Sequence, residues 1–117
     1  MRTSKKKINS SLKNQIIKSL AQVIADFKSI QEADKFLRDF FTDAEIETFS
    51  KRLAVAYWLR KGRSYTNIRD NLKVSSATIA TVQESLNRSG FKNALKSLEA
   101  EEWANQWSKR IKDFVGK

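Results

Sequence analysis

Residues 64–86 read SYTNIRDNLKVSSATIATVQESL. Ser64 and Ser75 each stand just ahead of a short helical pattern, where a serine hydroxyl can accept a backbone N–H that no helical carbonyl reaches. The spacing predicts one helix from Tyr65 to Leu72 and a second from Ser76 to about Asn87, with only Lys73 and Val74 left between Leu72 and Ser75. Two helices joined by so short a turn describe a helix-turn-helix, in which the first helix braces the second. Ile68, Leu72, Val74, Ile79, Val82 and Leu86 supply the apolar contact that fixes the two axes.

With those residues inward, the second helix turns Ser76, Ala77, Ala80, Thr81, Gln83, Glu84 and Asn87 outward. Small side chains let its backbone come close to a groove of double-stranded DNA. From Arg60 to Lys92 seven basic residues face two acidic ones, the sign that a phosphate-facing surface needs. Ser75 and Ser76, at a helix N-terminus with free N–H groups, suit the DNA backbone. The expected DNA contacts are Arg63, Thr66, Arg69, Lys73, Ser75, Ser76, Ala77, Ala80, Thr81, Gln83 and Arg88. The middle of this face has no Arg or Lys for guanine. Gln83 is therefore expected to pair with adenine, and Ala77, Ala80 or the Thr81 methyl to touch a thymine methyl.

On the N-terminal side, Leu12, Ile16, Ile17, Leu20, Val23, Ile24 and Phe27 recur at helical steps, followed by Ile30, Ala33, Phe36, Leu37, Phe40 and Phe41. A third helix is expected to start at a Thr42 to Glu45 capping box. It would bury Ile46, Phe49, Leu53, Ala56 and Tyr57 on one side and stop at Gly62. After Gly90 the residues from Phe91 to Val115 read as helix, broken if anywhere at Ser97, with Trp103, Trp107 and Phe114 along one side. Residues 1–10, with three consecutive lysines, are expected to form a basic disordered arm, and 11–117 a single helical domain carrying the helix-turn-helix at 64–88.

The 117 residues include no proline and three glycines, which favours an all-α fold. With neither cysteine nor histidine, the chain lacks thiolate nucleophiles, imidazole bases and the usual zinc ligands. Asp43, Glu45 and Glu47 complement a helix dipole rather than form an acid and base pair. An enzyme is not expected, nor any cofactor. A net charge of +10 draws the protein toward polyanions. No apolar run is long enough for a membrane span, and a cytoplasmic location is expected.

The segment TDAEIETFSKRLAVAYWLRKGRSYTNIRDNLKVSSATIATVQESL, Thr42 to Leu86, resembles the Trp repressor superfamily and its Trp-repressor-like branch. The resemblance rests on four features: Thr42 before an acidic turn, Arg52 ten residues on, Gly62 before the helix-turn-helix, and ATI followed by SL in the second helix. It implies an all-helical, intertwined homodimer that regulates transcription by binding DNA. In the namesake, tryptophan lies between two arginines near a threonine. Thr42 and Arg52 match the threonine and the first arginine, so both are candidate ligand contacts. The second arginine falls at Thr81, and the glycine that makes room for the indole falls at Val82. The resemblance therefore leaves a small-molecule effector of unknown identity, with tryptophan disfavoured. The alternative function is a basic helical adaptor that binds a protein partner through Trp103, Trp107 and Phe114.

Overall fold

The computed structural model describes residues 6–100 and 109–114. Six helices follow in order: α1 (Ser10–Ala25), α2 (Ile30–Phe40), α3 (Asp43–Arg60), α4 (Tyr65–Leu72), α5 (Ser76–Ser85) and α6 (Ser89–Ala100). Residues 109–114 are helical as well, and there is no strand among the described residues. The chain divides between Asp43 and Ala44 into two compact units.

In the first unit the helices begin at side-chain caps. The Asn9 side chain accepts the N–H groups of Ser11 and Leu12 at 2.8 and 3.3 Å. Ser29 accepts that of Glu32 at 3.1 Å, and the Glu32 carboxylate reaches back to the Lys28 N–H at 3.4 Å. These bonds satisfy orphan donors, so each start is defined locally. Phe27, Phe36, Phe40 and Phe41 form a chain of ring contacts with centroids 4.9 to 5.2 Å apart. Neither α1 nor α2 has a buried residue. The α1 stripe of Leu12, Ile16, Ile17, Leu20, Val23 and Ile24 is 37% to 54% exposed. A single helix of 16 residues with that much wet apolar surface is marginal by itself.

The second unit holds the core. Val55, Ala56, Tyr57 and Trp58 of α3 cluster with Ile68 of α4, Ile79 and Val82 of α5, and Leu95 and Leu98 of α6. Leu72, Val74, Leu86, Phe91 and Ile111 pack against this cluster. Where one inward stripe was expected on α3, five consecutive residues, Ala54 to Trp58, are buried, while Phe49 is 41% exposed. A stretch of helix buried all round sits at the centre of its unit, and no periodicity announces that. The salt bridge from Arg60 to Glu99 at 3.0 Å ties the end of α3 to α6.

Local chemistry sets the α3 stop. Gly62 has φ of 82°, the Arg63 N–H returns to the Trp58 carbonyl at 3.1 Å, and the Gly62 N–H to that of Leu59 at 3.0 Å. This is a Schellman motif. The contact that usually seals it is apolar; here the Arg63 guanidinium lies over the Trp58 ring, 4.6 Å from its centroid. Further on, α5 ends two residues earlier than expected, because Leu86 and Arg88 donate to the carbonyls three residues back and tighten the turn. Helix α6 then starts at Ser89 rather than after Gly90, and Ser97 does not interrupt it.

Lys73 closes α4 in the left-handed conformation, φ 57° and ψ 51°, with its N–H on the Arg69 carbonyl. A side chain there costs about 1 kcal/mol relative to glycine. Lys73→Gly is therefore expected to raise the unfolding free energy by about 0.5–1 kcal/mol, read as a higher urea midpoint. A lower midpoint would show that the lysine contributes packing that outweighs its strain.

Candidate nucleic-acid interface

Helices α4 and α5 are built as expected from their caps. Ser64 Oγ accepts the Asn67 N–H and Ser75 Oγ that of Thr78, both at 3.1 Å. Ile68 and Ile79 are fully buried and Val82 nearly so, which fixes the rotation of α5 about its axis. Ser76, Ala77, Ala80, Thr81, Gln83 and Glu84 are then exposed. The structure thus brings the slim face of α5 to the surface, beside Thr66, Arg69, Lys73 and Arg88, which are exposed as well.

Hydrogen bonds already occupy several of these side chains. The Ser75 hydroxyl is engaged by its cap and also lies 2.9 Å from Thr78 Oγ1. Thr81 donates its hydroxyl to the Ala77 carbonyl at 3.0 Å. Gln83, expected to read adenine, accepts a hydrogen bond from the Tyr65 hydroxyl through Oε1. That bond joins the start of α4 to the later turns of α5. It fixes Gln83 beside the brace helix, a tie between residues 18 apart that spacing could not reveal.

Among the basic residues, Arg63 is half-buried, stacked on Trp58 and donating to Asn67 Oδ1 at 3.1 Å. Its planar group braces the loop before α4. Arg69 pairs with Asp70 at 3.3 Å, but both side chains are about half exposed, so the pair is weak and readily exchanged for phosphate. Lys73, Arg88, Lys92 and Lys96 make no ion pair among the described residues. Arg60, Lys92 and Lys96 border a cleft of about 430 Å³ with Leu86, Asn87 and Leu95, so positive charge continues past the end of α5. Lys92 was expected to flank the unit, whereas Lys96 was not among the expected residues, because its place beside the end of α5 shows only in the fold.

Of the two candidate ligand residues, Arg52 lines a cleft of about 280 Å³ with Thr48, Ala77, Thr78, Thr81 and Val82. Its guanidinium lies over the Phe49 ring, 5.5 Å from the centroid. Thr42 precedes α3 and belongs to the first unit. Of the aromatic side proposed for an adaptor, Trp103 and Trp107 lie outside the described residues. Phe114 is 77% exposed and Ile111 packs on the core. The first five residues of the expected arm are also outside them, and 6–9 precede α1. Among the described residues no cluster of His, Cys, Asp or Glu could hold a metal ion, and no helix is long and apolar enough to cross a membrane.

Comparison with known proteins gives three consistent likenesses. Residues 15–99 match the family described as Trp repressor protein. The uncharacterized protein YerC of Bacillus subtilis is 34% identical over 76 residues, spanning 65% of this chain and 73% of that protein. The crystal structure of a TrpR-like protein from Eubacterium eligens superposes with a TM-score of 0.70 at 36% identity. That match covers 80% of this chain and 99% of the other.

Proposed function

The chain belongs to the Trp repressor family, and on that footing we propose that it is a transcription regulator that binds double-stranded DNA as a homodimer through α4 and α5. One observation carries the reading: α5 is anchored by Ile79 and Val82 while Ala77, Ala80 and Thr81 stay exposed, and Lys73 and Arg88 on either side make no ion pair among the described residues. A helix held that way can lie in a major groove, with Arg69, Lys73 and Arg88 against phosphate. Two such helices in a symmetric dimer read half-sites about 34 Å apart on one DNA face.

Tryptophan is not the effector in this reading. The cleft beside α5 offers one arginine, Arg52, and that side chain already stacks on Phe49. Thr81 cannot replace a second planar cation, and the Val82 side chain takes up room an indole needs. An effector of different chemistry would have to use the same few groups, with Arg52 as their charge.

Selection of bound duplexes from a random pool, with and without L-tryptophan, tests both statements. A pseudo-palindromic site is expected, with tryptophan changing affinity less than twofold. Arg69→Ala should weaken binding about fivefold to tenfold on every sequence and lower the salt slope by about one. Enrichment of no sequence, together with no effect of Arg69→Ala, would overturn the regulator reading. Sites recovered only in tryptophan would overturn the statement about the effector.

A further inference from the structure

The two acidic residues within α4 and α5 behave differently. Asp70 has a partner in Arg69. Glu84 is exposed and makes no ion pair or hydrogen bond among the described residues, although Arg88 follows one helical turn later. Ala77, Ala80, Thr81 and Glu84 recur at three- and four-residue steps, opposite the buried Ile79 and Val82. An unpaired carboxylate therefore stands on the outward stripe of a helix whose surroundings are otherwise basic.

The neighbouring side chains sharpen the point. Thr81 has turned its hydroxyl to the Ala77 carbonyl, so its methyl group joins Ala77 and Ala80 as apolar surface. Gln83 is held by Tyr65. On the outward stripe Ser76 and Glu84 keep hydrogen-bonding groups without a partner among the described residues, and Ser76 stands at the helix N-terminus, where phosphate is the expected contact. A carboxylate only accepts hydrogen bonds, whereas most groups on a major-groove edge also accept. Phosphate oxygens repel it as well. The exocyclic amino group of cytosine meets its need, and beside it lies a C–H; at adenine the amino group is flanked by the N7 acceptor.

Resting on the DNA-binding reading above, we propose that Glu84 is the specificity-determining residue of this face, reading a cytosine N4 amino group. Apolar contact from Ala77, Ala80 and Thr81 tolerates several bases and favours thymine methyl groups. Glu84 supplies the discrimination by leaving an uncompensated charge opposite any other base. It lies seven residues from Ala77, about 10 Å along the helix axis, so the two side chains reach different base pairs.

The test is base preference measured on random duplexes for the unsubstituted protein, Glu84→Ala and Glu84→Gln, with bulk genomic DNA as the non-specific probe. Glu84 is exposed, so neither change should disturb folding, which circular dichroism checks. The unsubstituted protein is expected to prefer cytosine at one position per half-site by at least fivefold. Glu84→Ala should erase the preference there alone and tighten binding to bulk DNA at least threefold. Glu84→Gln should shift that position toward adenine, since an amide pairs with adenine N6 and N7. An enriched site whose profile neither change alters overturns this inference alone. Failure of the unsubstituted protein to enrich any sequence overturns this inference, and if Arg69→Ala then also leaves binding unchanged the regulator reading falls with it.

Discussion

Ile79→Ala is expected to lower the unfolding free energy by about 2–4 kcal/mol, and Ile68→Ala by a similar amount. Both side chains are fully buried in the second unit. Truncation removes three methyl or methylene groups from a close-packed cluster and leaves a cavity that Val55, Trp58 and Leu95, on two other helices, can fill only in part. Such a loss is a large share of the 5–15 kcal/mol that holds a typical domain together. Urea unfolding followed by tryptophan fluorescence measures it. The DNA-binding consequence should be larger for Ile79 than for Ile68. Only Ile79 sits on α5, where a cavity lets the outward face rotate as well as destabilising the unit. Equal loss of binding after both changes, once folded fractions are matched, would mean that the orientation of α5 is set elsewhere.

What could be read from the residues alone were the features that local chemistry determines. Ser64, Ser75 and Gly62 mark their boundaries because a cap is satisfied within three residues and a left-handed stop within two. The inward positions Ile68, Ile79 and Val82 followed from periodicity once those boundaries were placed. The all-round burial of Ala54 to Trp58 did not, because short and mixed residues there give no stripe; only the helices arriving from later in the chain cover them. In the site, exposure of Ser76, Ala77, Ala80 and Thr81 was legible, and the engagement of Gln83 by Tyr65 was not. The engagement of Arg63 was not legible for a related reason. A basic residue beside a helix-turn-helix reads as a phosphate contact, and nothing in the spacing says that Trp58 lies under its guanidinium.

Ile16→Asp combined with Ile24→Asp is expected to convert the proposed homodimer to a 13.5 kDa monomer and to weaken operator binding at least a hundredfold. The two isoleucines lie eight residues apart on α1, and each is more than half exposed. Covered by a second copy, such side chains would contribute about 2 kcal/mol apiece. An aspartate in their place sets an unpaired carboxylate against apolar surface, which costs more than the burial it replaces. The core residues Ile68, Ile79, Leu95 and Leu98 all belong to the second unit, so α4 and α5 should keep their fold in the variant. The loss of affinity then has one source. Binding at one half-site no longer holds the second reading helix at high local concentration over the other half-site. Sedimentation equilibrium gives the mass and a duplex carrying one or two half-sites gives the affinities. The variant should bind both duplexes alike, whereas the unsubstituted protein should strongly prefer the duplex with two. If the unsubstituted protein sediments as a monomer, or the variant still prefers two half-sites, the apolar stripe of α1 is not a dimer surface.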